Sequence, residues 1–462
     1  MVLERLSADD RLMLLPDAMW PQDVGALAML EAGELLDGEG RFQIDAARTA
    51  VEARLHMLPR FRQILYEPAR GLGGPLWVDF AAFDIRDHIN VVAVAPPGDE
   101  AQLLATVEML RRRRLDRSRP LWEMWFLPGL SDRRVGLFVR WHHVVADGIA
   151  GVAAVSALLD ALPDAVTPDP HSWTPTARPS RARLLIDNVR MRSRVLARAV
   201  SAAAHPDEQV RRLRHGWPAV RELVAAQPGP VTSLGRLVGT GRTLALVRSR
   251  LADVKAIAHV HDATINDVLL AATAGGVRRL LQSRGETVEN LSVPVYVPVS
   301  LRLGGGGSAR GGNLISQMVI PLPVGESDPA KRLRQIAAES STRKGLPRAA
   351  LGGVFRNKLV AGAMLKLIAR QRVNIVSADL PGPPVPLYFA GAKVLEVFPL
   401  VNLIGTVSLG VAALSYAGTF DIMVVADADA YPDLDVLAAG VRDELGVLAA
   451  TTHRDRRLTR AP

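Results

Sequence analysis

The stretch Val135-Gly136-Leu137-Phe138-Val139-Arg140-Trp141-His142-His143-Val144-Val145-Ala146-Asp147-Gly148 decides how this chain is read. Its first seven residues are apolar except for Arg140, which predicts a strand entering a core. Side chains alternate along a strand, so His142 and His143 point to opposite faces and at most one reaches any given cavity. Asp147 suits a helix start, Gly148 permits a tight bend, and a helix-like segment follows from Ile149 to Leu162. The expected product is one imidazole on a rigid strand end with a carboxylate close behind it. A His-His pair on a strand is otherwise a packed core pair; the Asp-Gly at this spacing turns the reading toward chemistry.

The chain has 462 residues, enough for two or three domains and a large core. Its 48% hydrophobic and 22% charged residues suit a soluble globular protein. The absence of cysteine removes disulfides, thiolate metal sites and a Cys nucleophile, and agrees with a reducing cytoplasm. The N-terminus, Met1 to Asp10, lacks a basic region followed by an apolar stretch, so no signal peptide is expected. Val397 to Phe420 carries a single class of warning: it is uncharged and long enough to span a bilayer. Pro399, Asn402, Gly405, Gly410, Gly418 and its β-branched residues make it read instead as two buried strands with a turn.

The formal net charge of +9 is unevenly spread. Between Arg178 and Glu222 stand eleven arginines, no lysine and only four acids, Asp187, Asp207, Glu208 and Glu222. Leu184, Leu185, Ile186, Val189, Met191, Val195, Leu196 and Val200 interleave with Arg190, Arg192, Arg194 and Arg198. Such a basic amphipathic helix can lie on an anionic lipid surface, or serve as a solvated interdomain helix whose arginines pair with acids elsewhere. Nucleic acid is not expected as a partner, because aromatic residues are only 5% and no recognition motif accompanies the charge.

Strand-like and helix-like segments alternate over the first 170 residues. Gly25–Leu30, Trp122–Leu127 and Arg134–Trp141 read as strands, and Asp45–Leu58 and Ala101–Arg114 as helices. Pro163 to Pro179 is a turn-rich boundary, and the basic helical region then leads to a second half from about residue 230. There the strand candidates are Thr243–Val247, Val293–Val299, Leu314–Leu322 and several between Val373 and Ala426. Helix candidates are Ser249–His259, Thr264–Leu281, Asp328–Thr342, Val354–Ala369 and Asp433–Leu448. The expected organisation is a first domain over 1–170, a basic helical linker over 171–229 and a second domain over 230–462. Two α/β halves with mixed sheets would enclose a shared cleft.

The HHxxxDG pattern of His142 to Gly148 resembles the active-site motif of the CoA-dependent acyltransferase superfamily. In more detail the chain resembles the bacterial wax ester synthase/diacylglycerol acyltransferase family. Leu6-Ser7-Ala8-Asp9-Asp10 with Gly25, Leu58-Pro59-Arg60-Phe61-Arg62, Arg119-Pro120-Leu121-Trp122-Glu123 and Asn266-Asp267-Val268-Leu269-Leu270 stand in the order of that family's elements. Val297-Pro298-Val299-Ser300-Leu301-Arg302 with Gly312-Asn313, Leu380-Pro381-Gly382-Pro383 and Leu414-Ser415-Tyr416-Ala417-Gly418 continue the series. One position departs: where the family usually has Asn before the Leu-Pro-Gly-Pro, this chain has Asp379.

The resemblance implies two chloramphenicol acetyltransferase-like domains with the active site at their interface. It makes His143 the general base and Asp147, with Gly148, structural. It implies a salt bridge from Asp147 to a distant arginine, with Arg62 the first candidate and Arg302 the second. His142 is expected to be a packed, hydrogen-bonded residue. Pro120, Leu121, Trp122, Asn266 and Asp267 are expected to bind substrate or hold the site, Asn266 either lining the cleft and donating to the oxyanion or capping a helix with Thr264. The implied reaction moves a long-chain acyl group from acyl-CoA, a co-substrate, to diacylglycerol, giving triacylglycerol, or to a fatty alcohol, giving a wax ester. Imidazole suits the step because its pKa of ~6.5 lets it take an alcohol proton during attack. The chain has no Cys and no Gly-x-Ser-x-Gly elbow, in keeping with direct transfer without an acyl-enzyme.

No cofactor and no metal are expected: His259 and His261 have no companions to complete a site, and Gly304 to Gly307 is not followed by the Lys-Ser/Thr of a phosphate loop. The Arg111 to Arg114 run reads as a solvated helix end, with steering of CoA phosphates as the other reading. The expected location is cytoplasmic, with the inner membrane face or lipid droplets as a peripheral surface. The rival readings are a transferase of the same fold acting on a carrier-protein-bound acceptor, and a catalytically weak lipid-binding relative.

Overall fold

An apolar run needs neighbours on both sides to satisfy its backbone, and the strand from Arg134 to His142 has them. The structure, a computed structural model, describes residues 3–166, 168–169, 171–204, 207, 229–300, 315–344 and 372–458. In the first half the strands are β1 (Asp23–Glu31), β2 (Gln63–Tyr66), β3 (Leu76–Asp79), β4 (Ile89–Val91), β5 (Trp122–Leu130) and β6 (Arg134–His142). The second half adds β7 (Arg242–Arg250), β8 (Val293–Ser300), β9 (Ile315–Leu322), β10 (Ile375–Pro381), β11 (Tyr388–Phe389), β12 (Ala392–Leu400), β13 (Leu409–Tyr416) and β14 (Thr419–Asp427). The helices used below are α1 (Ala8–Leu14), α2 (Ile44–Glu52), α3 (Glu100–Arg112), α4 (Gly148–Ser156) and α5 (Arg181–Ala204). They continue with α6 (Leu251–Val260), α7 (Ile265–Ser283), α8 (Pro329–Lys344) and α9 (Leu434–Leu458).

Two six-stranded mixed sheets result, ordered β11-β12-β1-β6-β5-β4 and β7-β14-β13-β10-β8-β9, with β2 and β3 as a separate ribbon. β6 is buried from Val135 to His142 because it is central: it pairs antiparallel with β1 (Leu27↔Phe138) and with β5 (Met124↔Val139). One element crosses between the halves expected over 1–170 and 230–462. β12 pairs with β1 of the first sheet, in register Gly25↔Leu400 and Leu27↔Phe398, and carries β11 on its outer edge. Alternating apolar residues on β12 need a free strand edge to cover, and β1 offers one.

Each sheet has its own core, and a third joins them. Val135, Leu137, Val139 and Trp141 pack with Phe126, Trp122 and Val51 in the first half. Val268 to Ala272, Val411, Ile422 and Val441 pack between the second sheet and the helices behind it. Between the sheets lie Leu27, Met29 and Phe138 from one and Leu244, Leu246, Met423 and Val425 from the other, with Phe398 and Leu400 of the crossing strand. Val397 to Phe420 is thus the end of β12, a loop, β13 and a turn, and among the described residues no helix is long and apolar enough to cross a membrane.

Local rules explain most ends. α2 stops at Glu52, short of the expected Leu58, and a 3-10 turn over Leu55–Met57 leads into Pro59. α7 opens with a capping box in which Thr264 Oγ1 and the Asp267 carboxylate exchange bonds with each other's backbone. Asp267, not Asn266, is therefore the partner of Thr264 in the cap. α9 runs on to Leu458, beyond the expected Leu448. The helix expected over Val354–Ala369 lies outside the described residues.

Candidate active site

The two histidines leave the strand in opposite hydrogen-bonding directions. His142 N–H donates to Leu121 O at 3.0 Å on the β5 side, and His143 N–H donates to Gln22 O at 2.8 Å on the β1 side. β6 ends at His142, and His143 opens the turn that follows, its backbone held by the β1 side.

His142 is bonded at Nδ1 and faces a carboxylate at Nε2. Its Nδ1 accepts from Val144 N–H at 3.1 Å, which leaves the proton on Nε2, 3.2 Å from Asp17 Oδ1. Asp17 also accepts Gln22 N–H at 3.0 Å and faces Arg117 at 3.4 Å. Burial alone would raise its carboxyl pKa, but the bonds from His142 and Gln22 outweigh burial and hold it below the ordinary value. His142 is buried, whereas His143 is half-buried.

Burial pushes the His143 pKa below the ordinary imidazole value, against the charges of Asp147 and Asp10, which favour protonation, while His142 opposes it. The imidazole is therefore neutral at pH 7. Asp10 stands in α1, buried, and accepts Ser7 Oγ–H at 2.6 Å. Leu6 of the same segment packs with Val144 and Leu121, which sets α1 beside the motif. Asp147 serves as N-cap of α4, its Oδ1 accepting Ala150 N–H at 2.8 Å. α4 then lies on the Trp141 indole so closely that a Cβ on Gly151 would fall 2.0 Å from Trp141 Cζ2. Trp141 Nε1–H closes the loop by donating to Ala146 O at 3.1 Å.

The Pro120-Leu121-Trp122 element supports the same strand end. Leu121 O takes the His142 N–H, and Trp122, fully buried, stacks between Phe61 and His88 and donates Nε1–H to Phe61 O at 2.8 Å. Arg62 does not reach Asp147. Its guanidinium lies 5.1 Å from the Trp173 ring centre and 5.8 Å from that of Phe83, and burial lowers its pKa with Glu52 the charge that opposes this. A desolvated guanidinium satisfied by aromatic faces is not the expected salt-bridge partner. Arg302 lies outside the described residues. Asn266 is half-buried on the first turn of α7.

Three residues that local pattern does not reveal complete the setting. Gln22 carries the His143 N–H, and its Oε1 accepts from Asn402 Nδ2 at 2.8 Å, a link from the loop between β12 and β13 to the motif. Asp17 holds His142. None has a spacing signal, since each acts across long sequence separations. The Arg111 to Arg114 run is structural at both ends. Arg111 pairs with Glu108 at 2.6 Å and donates to Thr240 O at 2.8 Å, while Arg114 donates to Asp17 O at 2.7 Å. Glu108 also accepts Arg242 N–H at 2.8 Å, so α3 is tied to the first residue of β7.

The motif faces the second half directly. A Cβ on Gly148 would stand 3.0 Å from Leu380 Cδ2, placing the start of α4 against the end of β10. Next along β10 is Asp379, whose carboxyl burial pushes up to about 6. Among the described residues no group of three or more His, Asp or Glu side chains could hold a metal ion.

Residues 6–269 match the wax ester synthase/diacylglycerol acyltransferase catalytic domain, and residues 311–449 match the WS/DGAT C-terminal domain. A Mycobacterium tuberculosis protein named "probable diacylglycerol O-acyltransferase tgs1" is 32% identical over 95% of this chain and 93% of its own. Its Mycobacterium bovis counterpart, also named as a diacylglycerol O-acyltransferase, gives the same identity and coverage. Among solved structures, the wax ester synthase/diacylglycerol acyltransferase from Marinobacter aquaeolei VT8 superposes with a TM-score of 0.69 at 20% identity, covering 98% of this chain and 100% of that one. The first condensation domain of the CDA synthetase gives a TM-score of 0.62 at 15% identity, covering 97% and 96%. The shared fold is the two-domain, chloramphenicol acetyltransferase-like one.

Proposed function

Because the chain belongs to the wax ester synthase/diacylglycerol acyltransferase family, we propose that His143 is the general base of an O-acyl transfer from acyl-CoA to diacylglycerol. The protein is an acyltransferase, and its acceptor in this reading is the free hydroxyl of diacylglycerol, giving triacylglycerol; a fatty alcohol is the second acceptor, giving a wax ester. The observation that carries the assignment is the contrast between the two histidines. His142 is buried, with Nδ1 accepting from Val144 N–H and Nε2 facing Asp17, while His143 is half-buried and neutral at pH 7.

His143 takes the acceptor's O–H proton as its oxygen attacks the thioester carbonyl carbon. The C–O bond forms, the C–S bond breaks, and the imidazolium returns the proton to the departing CoA sulfur. No covalent acyl-enzyme intervenes. Asp147 fixes the loop by capping α4, and Asp10 and Asp147 together favour the imidazolium that forms midway. Asn266 is assigned as the amide that donates to the developing oxyanion, an assignment supported by its half-buried place on α7 and by the cap being made by Asp267 instead. No cofactor enters this scheme. Since both lipid substrates are poorly soluble, the reaction is placed at a lipid surface of the inner membrane face or a lipid droplet.

The test is product identity. Palmitoyl-CoA with dipalmitoylglycerol should release CoA in step with tripalmitoylglycerol formed, and hexadecanol should give palmityl palmitate more slowly. CoA release with neither product, or transfer only to a carrier-bound acceptor, would overturn the reading.

A further inference from the structure

Among the described residues, the basic helix α5 is anchored by its first two turns. Leu184 is buried against Ile64, Leu76 and Val78, Asn188 Nδ2–H donates to Gly71 O at 2.7 Å, and Asp187 pairs with Arg5 at 2.6 Å. From Val189 to Ala204 every residue whose burial is described is exposed. Leu185 is 49% exposed, Val189 57%, Leu196 66% and Val200 63%. At about 100° per residue these four fall within an arc of roughly 60°, and Asn188 and Leu184 lie about 60° and about 100° from its near edge. The apolar stripe is therefore not the face that docks the helix.

Arginines border the stripe on both sides. On the same wheel Arg181 and Arg192 fall just before it and Arg190 just beyond Ile186, which is itself exposed, while Arg194 lies toward the far side. The only acid in the helix, Asp187, is already paired with Arg5. An apolar arc rimmed by cations and nearly free of acids complements a sheet of anionic headgroups over acyl chains. A second copy of the same face is a poor partner, because arc-to-arc contact sets arginine rows against arginine rows.

We propose that α5 is the surface on which this protein docks to an anionic phospholipid bilayer, with Leu185, Val189, Leu196 and Val200 entering the headgroup–acyl boundary and Arg181, Arg190 and Arg192 meeting phosphates. The choice of lipid as partner rests on the acyltransferase reading, but the surface stands or falls on its own measurement. Placed one linker after the motif domain, it would hold the protein where an insoluble acceptor is found.

Sedimentation with vesicles of pure phosphatidylcholine, and with vesicles containing phosphatidylglycerol, tests it. The His143→Ala protein is used beside the wild type, so that binding is read without turnover. Both should bind the phosphatidylglycerol vesicles more tightly, with the preference lost in high salt. Arg181→Glu/Arg190→Glu/Arg192→Glu should weaken that binding by about 100-fold or more at low salt. Leu196→Trp should show a blue-shifted emission on the vesicles, and Val189→Asp/Leu196→Asp should lose binding while keeping the wild-type Tm. Unchanged binding in the charge-reversed and Asp-substituted proteins overturns the proposal, even if acyl transfer is intact. Failure of acyl transfer with charge-dependent binding intact overturns only the enzymatic reading. A dimer in solution that the Asp substitutions dissolve would assign the face to a second copy and overturn the lipid partner.

Discussion

Gly148 and Leu380 touch across the two halves of the molecule: a Cβ on the first residue of α4 would stand 3.0 Å from the Leu380 side chain at the end of β10. The His-containing loop is thus positioned by the second sheet as well as by its own strand. Gly148→Val should cost about 1–3 kcal/mol through overpacking and lower turnover at least tenfold. Leu380→Ala in the same protein should restore part of both, so that urea unfolding and rates over the four proteins show coupling. Additive effects would mean that the contact does not set the loop.

His142 should be a stability residue. His142→Ala leaves Val144 N–H and the Asp17 carboxylate without a partner they hold at 3.1 Å and 3.2 Å. The expected loss is about 1–3 kcal/mol in urea unfolding. Acyl transfer per folded molecule should fall much less than when His143 is replaced.

The pH profile should carry the signature of a desolvated imidazole. The His143 pKa is lowered by burial, so the neutral, proton-accepting form persists below the ordinary value, and the acid limb of kcat/KM should lie below pH ~6.5. Asp10 favours the protonated form. Asp10→Asn removes that charge, lowers the His143 pKa further and should move the limb to still lower pH. A loss of rate with no movement of the limb would limit Asp10 to packing α1.

Asp379 makes a prediction with the opposite slope. Its carboxyl is raised from 3.8 to about 6 by burial, so the fold binds the proton more tightly than the unfolded chain does. Its contribution to stability is therefore present below pH ~4 and is lost as pH rises through about 6. Asp379→Asn, which stays neutral, should be more stable than the parent by about 1–3 kcal/mol at pH 8 and little different at pH 4. Equal unfolding midpoints at both pH values would show that Asp379 is fully solvated.

What could be read from sequence was local. The apolar run of β6, the Asp147 cap with Gly148 behind it, and the strands within Val397 to Phe420 all depend on residues a few positions apart. So does the Thr264–Asp267 box, in which Asp267 takes the place that Asn266 could also have filled, because Asn and Asp cap equally well. What could not be read was the pairing of distant segments. β12 joins the first sheet through a register with β1 more than 360 residues away. Asn402, Gln22 and His143 form a chain that no spacing announces. The resemblance implies an arginine paired with Asp147, but Arg62, its first candidate, packs on Trp173 and Phe83, and an aromatic face leaves no mark in a charge pattern.

The central claim is that His143 accepts the acceptor's proton, and CoA release from palmitoyl-CoA tests it most directly. With dipalmitoylglycerol or hexadecanol present, the wild type should release CoA in an acceptor-dependent way. His143→Ala should lose about 10²–10⁴-fold of that rate with no change in unfolding midpoint. Acceptor-dependent release that survives in His143→Ala would contradict the account.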